Sequence, residues 1–190
     1  RHDYVMEAAA RVRAVRTREL TRAAMSDLLG GVDPRGHAIA DAMDAALLGA
    51  LAIAGREEAE RWGSERAHVT FVAMGRYGGR ECSYASDTDV IAVHEPVGGA
   101  SDSEAAASAT AIVNRVKKLL GSATSQLGIV VDLDLRPEGK NGPMSRTIAS
   151  HEEYAQRWAS TWERQAAVRA RPIGSRDLDE RARALFESMA

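Results

Sequence analysis

Cysteine is almost absent from this chain: Cys82 stands alone among 190 residues. A single cysteine excludes an internal disulfide framework, leaves no CxxC pair for metal or redox work, and fits a reducing compartment. An excess of one charge is lacking too. With 25 Lys and Arg against 27 Asp and Glu, the formal net charge is -2, so no global field draws the chain to nucleic acid or to a membrane surface. The lack of a basic stripe disfavours an enzyme directed at tRNA or DNA. No apolar run is read as approaching the ~20 residues that span a bilayer, and no secretory signal is seen. Neither the G-x-x-x-x-G-K-[ST] loop of Walker-type NTPases nor the spaced G-x-G-x-x-G fingerprint occurs. The histidines His2, His37, His68, His94 and His151 show no metal-ligand spacing. Internal repeats and low-complexity tracts are also missing. What is there is 45% hydrophobic and 27% charged, the proportions of a globular domain with a proper core. Because the chain starts at Arg1 and not Met, it is expected to be a piece of a longer protein.

Apolar spacing predicts a helix over residues 3–29, with Val5, Ala8, Val12, Val15 and Leu20 on one side. Arg11, Arg13, Arg16, Arg18 and Arg22 stud the same segment and read as a solvated face; the sharper alternative is a docking surface for acidic groups. The turn formers of residues 30–34 break this helix. A second helix is expected over 35–62, its core stripe formed by Ile39, Met43, Leu47, Ala50, Leu51 and Ala54. Strands are expected at 67–74, from about Asp87 to His94, and over 127–135. Between the last two, Ser103 reads as the N-cap of a helix burying Ala109, Ile112, Val113, Val116, Leu119 and Leu120. One helix over 150–170 is expected to place Trp158 and Trp162 in the core, and a short final helix carries Leu178, Leu185 and Phe186. This order predicts an α/β (α+β) domain with a small sheet. Its divisions are a helical lead-in (1–66), a catalytic core (67–148) and C-terminal helices packing on that core (149–190).

The chemistry concentrates between Val69 and Pro96. An apolar run ends in a glycine-rich turn (Gly75, Gly78, Gly79), and a second apolar run opens with Asp87-Thr88-Asp89. Residues two apart on a strand share a face. Asp87 and Asp89 are therefore expected side by side, where two carboxylates repel unless a cation lies between them. Asp132 and Asp134 repeat the pattern in the third strand. Three carboxylates from adjacent strands match the needs of two-metal phosphoryl-type transfer, with Mg²⁺ the hard cation of choice. Gly78 and Gly79, with Ser86 downstream, read as a cradle for triphosphate oxygens; Arg76, Arg136 and Lys140 are the nearby cations. Alone, each feature has a plainer reading: a tight turn, a capping acid, surface charge. Cys82 reads as structural.

Three blocks then carry a resemblance: residues 75–90 (GRYGGRECSYASDTDV), 131–143 (VDLDLRPEGKNGP), and 157–166 (RWASTWERQA) with 169–172 (RARP). In this order they resemble the glutamine synthetase adenylyltransferase family, a branch of the nucleotidyltransferase superfamily related to DNA polymerase β. From first to last they span residues 75–172, about half of the chain. Cys82 and Ser83 stand where that family usually has Leu and Gly, and Ala85 where it has Gly. The resemblance implies a polymerase-β-like fold with a small mixed sheet flanked by helices. It carries Asp87, Asp89 and Asp132 over as metal ligands, leaves Asp134 without a role, and makes Gly78, Gly79 and nearby Ser86 the nucleotide loop. It further implies Mg²⁺, ATP as substrate, glutamine synthetase as protein partner, a PII-type signalling protein acting on the full-length chain, and a cytoplasmic setting. Members have two heads, one attaching AMP to a tyrosine of glutamine synthetase and one removing it by phosphorolysis to ADP. The lead-in around residues 16–20 and 27–29, with the Gly-Gly pair, points to the attaching head, and the richness in Ala, Arg and Gly to an actinobacterial relative. An idle nucleotide- or partner-binding domain is the alternative of a different class.

Overall fold

Strand direction and side-chain alternation set this architecture. The computed structural model describes residues 2–31, 35–121, 129–174 and 176–190, and side chains from residue 7 onward; the Val5 side chain, Leu127 and residues 32–34 fall outside that description. Two long helices come first, α1 (His2–Leu28) and α2 (Arg35–Trp62), packed on each other. The expected α2 stripe is buried apart from Leu51, which is partly covered, whereas Val15 on α1 is exposed. One expectation is corrected here. α2 is long and apolar enough, by length and composition, to cross a membrane. Its stripe is instead built into the protein core.

The arginines of α1 divide. Arg11, Arg18 and Arg22 pair with Glu7 or Glu19 at the surface, while Arg13 donates to the Leu119 carbonyl at 2.7 Å.

The sheet has the order β3-β2-β1-β4. β1 (Ala67–Ala73) and β2 (Thr88–Pro96) pair antiparallel from Ala67↔Pro96 to Ala73↔Val90, and β4 (Arg171–Pro172) adds antiparallel to the end of β1. β3 (Val131–Asp132) runs parallel to β2. Alternation on the strands sorts the apolar residues to two sides. Val69, Phe71, Val90 and Ala92 pack with α2 and with α4 (Asp102–Leu120). Val72, Met74, Ile91 and Val93 pack on the other side, against α6 (Thr161–Ala167) and α7 (Asp177–Met189). The result is the mixed α+β arrangement expected, with helices on both faces of a small sheet.

Several boundaries differ from expectation. The N-cap of α4 is Ser101, not Ser103: the Ser101 amide donates to Glu104 and the Glu104 amide to the Ser101 hydroxyl, a reciprocal box. The third strand is only two residues long, because Asp134 and Leu135 turn the chain, the Arg136 amide donating to the Leu133 carbonyl at 3.1 Å. The single helix over 150–170 is two, α5 (Ile148–Arg157) and α6, interrupted where Glu163 accepts from the Ser160 amide and hydroxyl. That break turns Trp158 and Trp162 outward, 72% and 54% exposed, so they are not core. A one-turn helix, α3 (Gly75–Gly78), joins β1 to the segment before β2.

Candidate active site

β2 starts at Thr88, so Asp87 lies just outside it, exposed, while Asp89 is its second residue and half-buried. Parallel pairing sets Thr88 opposite Val131 and Asp89 opposite Asp132. Residues in register on neighbouring strands project to the same side of the sheet. Two carboxylates from distant segments thus meet at one sheet end, on the side of Ile91 and Val93. Gly75 closes the space above them. A Cβ there would come 3.4 Å from Asp89 Oδ2, and its φ of 54° belongs to the left-handed region that glycine enters freely. The Met74 amide donates to the Asp89 carbonyl at 2.9 Å, tying the turn to β2.

Burial, then the charges of Asp132 and Asp87, push the Asp89 carboxyl above the ordinary carboxylate range. The three acids therefore feel one another electrostatically. Among the described residues, no three His, Cys, Asp or Glu side chains are drawn together into a finished ligand set. The donor chemistry nonetheless suits a hard divalent cation, being all carboxylate oxygen with mutual repulsion to relieve.

The remaining expected residues separate into groups. Gly78 and Gly79 form the turn, but their amides donate to the Met74 and Gly75 carbonyls at 2.8 and 3.1 Å. Gly78 is demanded by space: a Cβ would fall 2.0 Å from the Arg169 carbonyl oxygen and 2.5 Å from that of Ala73. Ser86 closes the loop before Asp87 by accepting from the Ser83 amide at 2.8 Å. Arg136 is buried and donates to the carbonyls of Leu133, Lys140 and Gly142, bracing the loop that follows Asp132. Asp134 does not share a strand face with Asp132. It sits in the turn, pairs with Lys140 at 3.2 Å, and its amide donates to Asp132 Oδ1 at 2.7 Å. Arg76 is exposed and donates to the Glu81 carbonyl. Cys82 is a buried free thiol.

Three residues beside the turn were not singled out by sequence reasoning. Tyr77 is fully buried and donates to Asp44 of α2 at 2.6 Å, and Arg171 of β4 donates to both oxygens of the same carboxylate. The one available signal was an acid set next to the apolar stripe of α2, beside Met43. A cavity of about 490 Å³ lies elsewhere, lined by Ala67–Thr70 at the opposite end of β1. Its buried acids already have partners, Trp62 for Glu58 and Thr70 with the Gly174 and Arg176 amides for Asp179. The carboxylates at the other sheet end therefore remain the candidate chemistry.

Comparison with known proteins identifies the family. The family model described as glutamate-ammonia ligase adenylyltransferase matches residues 2–186. The chain belongs to this family. Relatives named bifunctional glutamine synthetase adenylyltransferase/adenylyl-removing enzyme include one from Bifidobacterium longum (strain DJO10A), 43% identical over 172 residues, covering 88% of this chain and 16% of the relative. Another, from Streptomyces coelicolor, is 37% identical over 198 residues, covering 95% and 20%. A third, from Mycobacterium marinum, is 39% identical over 184 residues, covering 95% and 18%. The expected actinobacterial kinship is thereby met. The chain spans a fifth or less of the length of these family members.

Proposed function

We propose that this domain is a nucleotidyl-transfer head that moves AMP from ATP to a tyrosine hydroxyl of glutamine synthetase, and so takes part in regulating nitrogen assimilation. The observation that carries the reading is the register of Asp89 against Asp132 at the end of the sheet, with Asp87 adding a third interacting charge. Asp87, Asp89 and Asp132 would hold the Mg²⁺. Bound there, the cation would neutralise phosphate oxygens and favour deprotonation of the attacking phenol.

The chain's own groups define the rest. The Asp134 amide orients Asp132, and Arg136 keeps the following loop folded around it. Gly75 brings the turn against Asp89 in a backbone conformation that glycine enters freely, Gly78 lets it pack closely, and Gly79 ends it. Together with Ser86 and Arg136 they bound the side on which the triphosphate is placed. The tyrosine oxygen forms a bond to the α-phosphorus as the bond to the β-phosphate oxygen breaks. Pyrophosphate leaves, and the phenolic proton passes to one of the aspartates or to water. In this reading residues 67–148 are the catalytic part, with 1–66 and 149–190 as its supports. The longer protein would be cytoplasmic and answer to a PII-type signal.

The names of the relatives pair this activity with its reversal, and the same carboxylates would serve phosphorolysis of the AMP-tyrosine bond to give ADP. One experiment separates the readings. The protein is incubated with Mg²⁺, α-labelled ATP and purified glutamine synthetase, and label on the synthetase is followed. Label that vanishes with Asp87→Asn supports attachment. ADP release from adenylylated synthetase and phosphate would assign the removing head instead. ATP binding with neither reaction would mark an idle binding domain and sink the proposed transfer.

A further inference from the structure

The α3 turn beside Asp89 is too short to hold its own shape, since a single helical turn gains one or two hydrogen bonds for the residues it fixes. Its position must come from its surroundings. Above, Met74 is bonded to Asp89. On its other flank lies the cluster of Tyr77, Asp44 and Arg171. The two Arg171 Nη atoms donate to Asp44 at 2.7 and 3.0 Å, Arg171 Nε donates to the Gly78 carbonyl at 3.2 Å, and the guanidinium lies 5.5 Å from the Tyr77 ring centroid. One carboxylate therefore joins α2, the α3 turn and β4, using both of its oxygens.

We propose that Asp44 is a positioning residue for nucleotide binding: through Tyr77 and Arg171 it sets the height of the Gly75–Gly79 turn over Asp89. The inference rests on the reading of Asp87, Asp89 and Asp132 as the nucleotidyl-transfer centre. Two physical points favour geometry over stability as the purpose. A partly buried ion pair contributes little more to stability than well-packed apolar groups would, but it fixes orientation through its fork. The turn it holds also has no slack, because the Gly78 backbone lies against the Arg169 carbonyl with no room for a methyl group. A shift of the turn must therefore move Gly75 relative to Asp89.

A matched control exists in the same protein. Glu57 of α2 makes an equally bidentate pair with Arg115 of α4, at 2.7 and 3.0 Å, away from the turn. The test measures Mg²⁺-ATP affinity by calorimetry, with thermal midpoints, for the wild type and for Asp44→Asn, Arg171→Lys and Glu57→Gln. Asp44→Asn and Arg171→Lys are expected to weaken ATP binding by about 10- to 100-fold, the scale of a misplaced binding group. Glu57→Gln is expected to lower the midpoint comparably and leave ATP affinity within about twofold, as loss of a remote, independent pair should. Should Asp44→Asn not fold, Tyr77→Phe keeps the ring and the ion pair and is expected to weaken ATP about fivefold, the worth of one hydrogen bond. Folded variants at positions 44 and 77 that bind ATP as the wild type does would overturn the positioning role alone. A wild-type protein that binds no ATP would overturn the transfer reading together with it.

Discussion

Burial and two neighbouring acids all oppose the charge of Asp89. Asp89→Asn is accordingly expected to leave the thermal midpoint unchanged or higher, while label transfer falls by at least about a hundredfold, the scale set by removing a group that stabilises the transition state. A variant that is both destabilised and active would contradict the assignment. Gly78 poses the opposite case, a residue held by space. Gly78→Ala is expected to cost about 1–3 kcal/mol, as overpacking does, read from the shift in a urea midpoint. The aspartates were legible from their spacing and the turn from its glycines, though as a phosphate cradle and not as the packed turn in which the Gly78 amide donates to the Met74 carbonyl. Asp44 was not, because nothing in a one-dimensional pattern says which distant arginine will reach it. Asp134 misled for a related reason: alternation was extended past the point where the strand ends, two residues after it begins.

At the scale of elements, helix periodicity was a sound guide wherever a helix was long. α2 and α4 bury nearly the whole of the stripes foreseen for them. It failed between α5 and α6, where a local capping box at Ser160 outcompetes the continuing pattern. The expectation of core tryptophans continues that pattern across the break, where it no longer holds. Their exposure has a measurable consequence. Trp158→Ala is expected to lower stability by less than about 1 kcal/mol, as for a surface substitution, and not by the about 3–5 kcal/mol of a core tryptophan. A urea titration of the variant decides between the two figures.

For the whole molecule, acid is the condition that tests the packing. His151 is buried on the face shared with Phe186, with no hydrogen-bond partner at Nε2; burial, then the charge of Arg146, pulls its pKa down to about 4. In the unfolded chain it protonates near 6.5. Between those values the unfolded state binds a proton that the folded state refuses. Stability is therefore whole above pH 6.5 and falls as the pH drops toward 4, by about 3 kcal/mol in all. His94, also pulled down by burial, acts in the same direction. Urea midpoints at pH 7.5 and 5 should show the loss, and His151→Gln should reduce it.

The pairing of β3 with β2 sets an order of events as well as a distance. β1 and β2 share seven register pairs and are joined through α3, whereas β3 joins by two pairs after the longer crossover through α4. Closing that long loop is compensated by little backbone bonding. Asp132 is thus expected to arrive after the β1–β2 pair beside which Asp87 and Asp89 lie, so that the proposed centre is completed late in folding. The same two-pair contact is expected to open more readily than the seven-pair ladder of β1 and β2. In native-state hydrogen exchange, the amides of Val131 and Asp132 are expected to exchange well before those of Phe71 and Ala92. Bound substrate at the centre would close that gap, making occupancy of the site visible as slowed opening of two residues.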